Sequence, residues 1–155
     1  MHTKTPNIFP TLPEKPDADM IARYREDGYL AFLNALSPEE VKAASDGINE
    51  LVRKYAFNET LTDHVFGKGQ YSDKIKNGRG MLFKSRTSDF HFQVEGNYEA
   101  RPDRLDELAD NIRKFQSYTN ELPIYDYIAN KHPKLRALIG AVLGEDYRPY
   151  SSMAL

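Results

Sequence analysis

The stretch Ser37-Pro-Glu-Glu40 permits little but the start of a helix. Ser37 can accept from the N–H three residues on, and Glu40 can reach back to the Ser37 N–H. Pro38 sits at the first helical position, where its missing donor costs nothing. Behind this capping box, Val41, Ala44, Ile48, Leu51, Val52 and Tyr55 recur at helical spacing, with charged residues opposite. The pattern predicts one helix running to about Tyr55.

The chain before it is organised around that start. Residues 1 to 16 hold four of the nine prolines and read as an extended, proline-rich arm. Asp17 or Asp19 caps a short helix over Ala18 to Glu26, with Met20, Ile21 and Tyr24 on one side. Gly28 suits the left-handed position that ends it. Tyr29 to Leu33 is short, apolar and aromatic, and predicts a buried strand.

Beyond Tyr55 the pattern loosens. Residues 57 to 80 carry Gly67, Gly69, Gly78 and Gly80 among many polar residues and read as one long loop. Met81 to Arg86 and His91 to Glu95 are strand candidates, the second alternating Phe92/Val94 with His91/Gln93/Glu95. The segment from Asp103 to Tyr118 reads two ways. Leu105, Leu108, Ala109, Ile112 and Phe115 repeat at helical spacing, which slightly favours a helix. Ile112 to Tyr118 also works as a strand with Lys114 and Gln116 on one face. Pro123 opens a short helix to about Asn130, and Pro133 opens another to Leu143, stopped by Gly144. Glu145 to Leu155 then begins an extended run of alternating character. A strand without partners leaves backbone groups unpaired. The expectation is therefore a sequence that continues past Leu155, with 17–155 forming the front part of a single domain.

Composition excludes several classes. The 155 residues are 40% hydrophobic and 12% aromatic, enough for one domain with a core. The 21 basic and 23 acidic residues are interspersed, giving net −2, so no nucleic-acid stripe or polybasic membrane patch is present. The chain has no cysteine, which removes disulfides, thiol nucleophiles and zinc–thiolate sites and fits a cytoplasmic protein. No apolar run approaches the ~20 residues of a membrane span.

The candidate chemistry is sparse. Of the four histidines, His2 lies in the arm and His132 precedes a proline at a helix junction; both read as structural or solvated. Asp89, His91 and Glu95 have even spacings that put them on one side of a strand, and with His64 they could form a small metal site. Short His/Asp spacings are common in charged chains, so a surface role is the stronger reading. Gly67-Lys-Gly69 and Gly78-Arg-Gly80 read as ordinary turns, because neither follows a clear strand and opens a helix. Lys114 would point into the interior if its segment is a strand. An inward lysine requires an anion such as a dicarboxylate or phosphate; on a helix it is a solvated charge, the simpler reading of the residues alone.

Tyr24 to Val41, with its Asp-Gly-Tyr, short strand and Leu-Ser-Pro-Glu-Glu helix start, resembles the opening of the phytanoyl-CoA dioxygenase family. Ile112-Arg-Lys-Phe115 resembles that family's Arg-Lys strand. His132-Pro-Lys-Leu, Val142-Leu-Gly-Glu-Asp-Tyr147 and Tyr150 to Leu155 resemble the helix, turn and strand that follow. The resemblance implies an α+β fold: N-terminal helices and the first strands of a double-stranded β-helix (jelly roll, cupin-like), incomplete at the C-terminus. It implies an Fe(II)- and 2-oxoglutarate-dependent dioxygenase that hydroxylates a small-molecule or acyl substrate. Lys114 matches a lysine that reaches 2-oxoglutarate, and Met153 matches a position lining the same pocket. No histidine here matches an iron ligand. The family's His-x-Asp pair and distal His would follow Leu155, and the chain alone is expected to be inactive. The rival expectations are a non-catalytic binding domain of the same lineage and the small metal protein using His64, Asp89, His91 and Glu95.

Overall fold

The computed structural model describes residues 6–65 and 80–154. Helix α1 (Ala18–Asp27) starts where Asp17 accepts the Met20 N–H at 2.8 Å. It ends at Gly28, whose φ of 77° is the left-handed conformation and whose N–H donates to the Tyr24 carbonyl. Helix α2 (Pro38–Tyr55) opens with the reciprocal capping box: the Ser37 N–H donates to Glu40 Oε2 at 2.7 Å, and the Glu40 N–H donates to Ser37 Oγ at 3.2 Å.

The contacts divide the chain into two units, Met1–Val41 with Tyr127–Pro149, and Lys42–Asp126 with Tyr150–Leu155. The first unit holds α1, the first turn of α2 and a parallel pair of strands, β1 (Ile8–Thr11) and β2 (Ala31–Asn34). The proline-rich arm is thus extended, and its residues 8–11 are a strand. Pro10 is tolerated because the pair has free edges, and its carbonyl accepts from Asn34 Nδ2 at 2.9 Å. Phe9 stacks on Phe32 at 5.4 Å. The expectation of a buried strand at Tyr29 to Leu33 fails. Among the described residues only β1 pairs with β2, and Tyr29 stays 49% and Leu33 72% exposed. In the same unit a π-helical turn (Tyr127–Lys131) leads into a helix over Pro133–Leu143.

The second unit contains the core. Its antiparallel sheet runs in chain order: β3 (Thr62–Val65), β4 (Leu82–Ser85), β5 (His91–Val94), β6 (Ile112–Gln116) and β7 (Met153–Ala154). Thr62–Val65 lies in the region read as one long loop; residues 66–79 of that region, with Gly67, Gly69 and Gly78, lie outside the described residues. The segment read two ways is both: a short helix α3 (Leu105–Ala109), then strand β6. The short helix from Pro123 is α-helical only to Asp126.

The sheet's two faces are sorted by alternation. On one face Phe83, Phe92 and Phe115 stand in neighbouring positions across three strands. Their rings lie 4.8 Å and 5.5 Å apart, and Phe90 sits 5.9 Å from Phe92. Leu51, Val52 and Tyr55 of α2 join this cluster, with Val94 and Leu108. Val41, assigned to the same stripe by spacing, is 54% exposed.

Gly47 is needed for a close approach on α2. A Cβ there would lie 2.8 Å from Tyr125 Oη and 3.1 Å from Leu122 Cδ1. The Tyr125 hydroxyl donates to the Ala44 carbonyl at 2.8 Å, and burial pushes its pKa up to about 12, so it stays a donor. In a helix interior Gly47→Ala would ordinarily gain about 1 kcal/mol. Here the overpacking outweighs that gain. We expect a net loss of about 1–2 kcal/mol by urea denaturation. Adding Tyr125→Phe, which removes the closest atom, is expected to recover part of it; a stabilised Gly47→Ala would show that Tyr125 is loosely held.

Candidate functional site

The other face of the five-stranded sheet carries polar side chains. Register places Asp63, Lys84, His91, Gln116 and Met153 in one row, a residue from each strand in turn. The next row holds Leu82, Gln93 and Lys114. Gln93, Lys114 and Gln116 are half-buried, whereas Lys84 is exposed and Met153 is 55% exposed.

Lys114 reaches this face through a β-bulge. Gln93 pairs with Lys114 but Val94 pairs with Ile112, so Arg113 is an extra residue on β6. Ile112 consequently packs against the core cluster, while Lys114, two residues on, faces the other way. Without the bulge the two would share a side. Lys114 and Gln116 lie on one face, as the strand reading of this segment predicts, and Met153 lies beside Gln116. Lys114 does not enter the aromatic core; its side of the sheet is the polar one.

Lys114 has no ion-pair partner among the described residues, and neither has Lys84. The acidic residue in the row has a partner of its own. Asp63 accepts from Arg86 Nε at 2.8 Å at the margin of the sheet. Among the described residues the face therefore presents two ammonium groups without an ion-pair partner, with amide side chains between and beside them. That arrangement suits an anion with oxygens to spare for amide donors.

His91 anchors the centre of the row. Its Nδ1 lies 2.9 Å from the Asp89 carbonyl oxygen and its Nε2 lies 2.7 Å from Gln116 Oε1. The Asp89 contact is to the main chain, so Asp89, His91 and Glu95 do not converge. Among the described residues no three His, Cys, Asp or Glu side chains gather as a metal set. The side chain of His64, the remaining member of that candidate set, and all of His2 lie outside the described residues.

His132 is structural. It is buried at 4% exposure, and its Nδ1 accepts the Leu135 N–H at 3.3 Å, capping the last helix. Its Nε2 lies 3.5 Å from Glu40 Oε1. The Glu40 carboxyl is held below the usual carboxylate range, first by the Ser37 N–H, with His132 and Tyr127 adding to the effect against some desolvation. Sequence reasoning missed this cluster. A histidine before a proline at a helix start was its only visible sign.

Among the described residues no helix is long and apolar enough to cross a membrane. No family model, no curated protein and no solved structure matches the chain.

Proposed function

We propose that this chain is the front part of a non-haem Fe(II)- and 2-oxoglutarate-dependent oxygenase domain of the phytanoyl-CoA dioxygenase type. On this reading the sheet Thr62–Ala154 is the beginning of a double-stranded β-helix. Its polar face forms one wall of the co-substrate pocket. The observation that carries the reading is Lys114: half-buried, unpaired among the described residues, and on the same face as Met153. Both positions were singled out by resemblance, and the register brings them onto neighbouring strands.

A lysine in this position can hold one carboxylate of a dicarboxylate, with Gln116 beside it to supply a hydrogen bond. Met153 offers a polarizable wall to the aliphatic chain. The described residues do not supply an iron-ligand set. In the family such a metal, when bound, supplies the oxidising chemistry, and the fold positions the reactants. The substrate would be a small molecule or an acyl chain rather than a nucleic acid or a membrane.

The test uses the complete coding frame. The expected result is a His-x-Asp soon after Leu155 and a distal His beyond it. The encoded protein should consume 2-oxoglutarate when given Fe(II). Lys114→Ala is expected to raise the KM for 2-oxoglutarate about tenfold or more, the loss of one charge-assisted contact, with thermal stability unchanged. A stop codon at that point, or full turnover by the Lys114→Ala protein at the same KM, would remove the reading.

A further inference from the structure

The two contacts of His91 cannot both be ordinary for a neutral ring. The Asp89 carbonyl only accepts, so Nδ1 must carry a proton. In a neutral imidazole Nε2 then bears a lone pair and cannot donate to Gln116 Oε1, the atom 2.7 Å away. Two arrangements satisfy both contacts. Either His91 is protonated on both nitrogens and donates to Gln116 Oε1, or it is neutral and the Gln116 amide is turned, so that its NH2 donates to Nε2.

These arrangements present different chemistry to the polar face. With His91 cationic, Gln116 uses its oxygen on the ring and offers its NH2 outward, one residue beyond Phe115 and two beyond Lys114. With His91 neutral, Gln116 uses its NH2 on the ring and offers an oxygen outward. An outward NH2 binds a carboxylate; an outward oxygen repels one. The geometry points to His91 as a positioning residue whose charge sets which end of Gln116 faces an anion held at Lys114. This rests on the reading of the face as a dicarboxylate site and adds to it a proton-linked selector.

The charged groups around the ring come from every neighbouring strand. Lys84 of β4 is His91's direct cross-strand partner, and Lys114 of β6 lies diagonally beside it. Asp89 lies two residues before His91 in the chain, outside β5, and Asp63 of β3 lies beyond Lys84. Met153 of β7 is uncharged. Histidine is the side chain type that changes charge near neutral pH, where a carboxylate ligand is ionised.

The test has two arms on the protein encoded by the complete coding frame. Nitrogen-15 NMR of the His91 ring and the Gln116 amide is followed from pH 8 to pH 6. The expected result at the basic end is a neutral ring protonated on Nδ1, and the Gln116 amide signals move together with the ring as it gains its second proton. A ring protonated on Nε2 at the basic end overturns the proposal. In the second arm 2-oxoglutarate is titrated at both pH values. Binding is expected to be about tenfold tighter at pH 6, the worth of one hydrogen bond to a charged group. Gln116→Leu is expected to shrink that ratio, leaving only what the ring's charge contributes through space. An unchanged ratio in Gln116→Leu also overturns the proposal. If 2-oxoglutarate fails to bind at either pH, the dicarboxylate reading falls, while the nitrogen signals still decide whether the amide turns with the ring.

Discussion

Replacing Phe92 with alanine is expected to lower the unfolding free energy by about 3–5 kcal/mol, the usual range for deleting a buried aromatic ring. Phe92 is 1% exposed, stacked on Phe83 at 4.8 Å and packed against Phe115 and Phe90. It lies on a central strand of the sheet, so neither neighbouring strand can collapse into the space without losing its own pairing. Urea denaturation measures the effect. Should the alanine variant fail to fold, Phe92→Leu provides a milder step, expected to cost about 1–1.5 kcal/mol. Met153→Ala, on the opposite face, is the control and should stay within about 0.5 kcal/mol. A Phe92→Ala loss no larger than the control would mean that the aromatic row is not the core.

The second large effect is expected at Glu121. Its side chain is only 8% exposed and ties three segments together. The Tyr55 hydroxyl donates to Oε2 at 2.5 Å, the Ser88 hydroxyl donates to Oε1 at 2.6 Å, and Lys54 Nζ lies 3.5 Å from Oε2. Alanine at this position leaves two hydroxyl donors without their acceptor, and a loss of about 2–4 kcal/mol is expected. The lysine adds little to that figure, because its side chain is 42% exposed and its ammonium lies 3.5 Å from the carboxylate. Glu121→Gln keeps one acceptor and should lose about half as much. A cycle with Tyr55→Phe isolates the shorter bond. Additive losses would show that the carboxylate and the phenol are not coupled.

The helices were legible because their signals are local. Asp17, Gly28 and Ser37-Pro-Glu-Glu40 each act within one turn of the chain, and each does in the structure what its chemistry predicts. Strand β5 showed its period-two alternation, and Phe92 and Val94 are indeed the buried pair. Strand β2 misled because an apolar run reports a tendency to be buried, and burial depends on what lies beside it. The polar face was half visible: even spacing put Lys114 and Gln116 together. The link from Gln116 to His91, 25 residues away in sequence, depends on cross-strand register and left no trace in the spacing.

The segment after Asp103 shows why pattern alone could not decide. Ile112 and Phe115 are three residues apart, a helical interval, and they follow the helical spacing of Leu105, Leu108 and Ala109. In a regular strand residues three apart face opposite sides. The extra residue at Arg113 returns both to the core side. The bulge thus imitates a helix in the sequence while building a strand.

Arg113 also separates two phases of one strand. Upstream of it, odd and even positions have one assignment of inside and outside; downstream, they have the other. An insertion or deletion elsewhere in β6 would carry every later side chain to the wrong side, whereas the length of the chain at this one point is what lets Ile112 pair with Val94 on the core side while Lys114 pairs with Gln93 on the polar side. The identity of the bulged residue is free to drift, because its side chain is exposed and it belongs to neither row. What descent must preserve here is a count of residues rather than a kind of residue, and the polar face depends on that count.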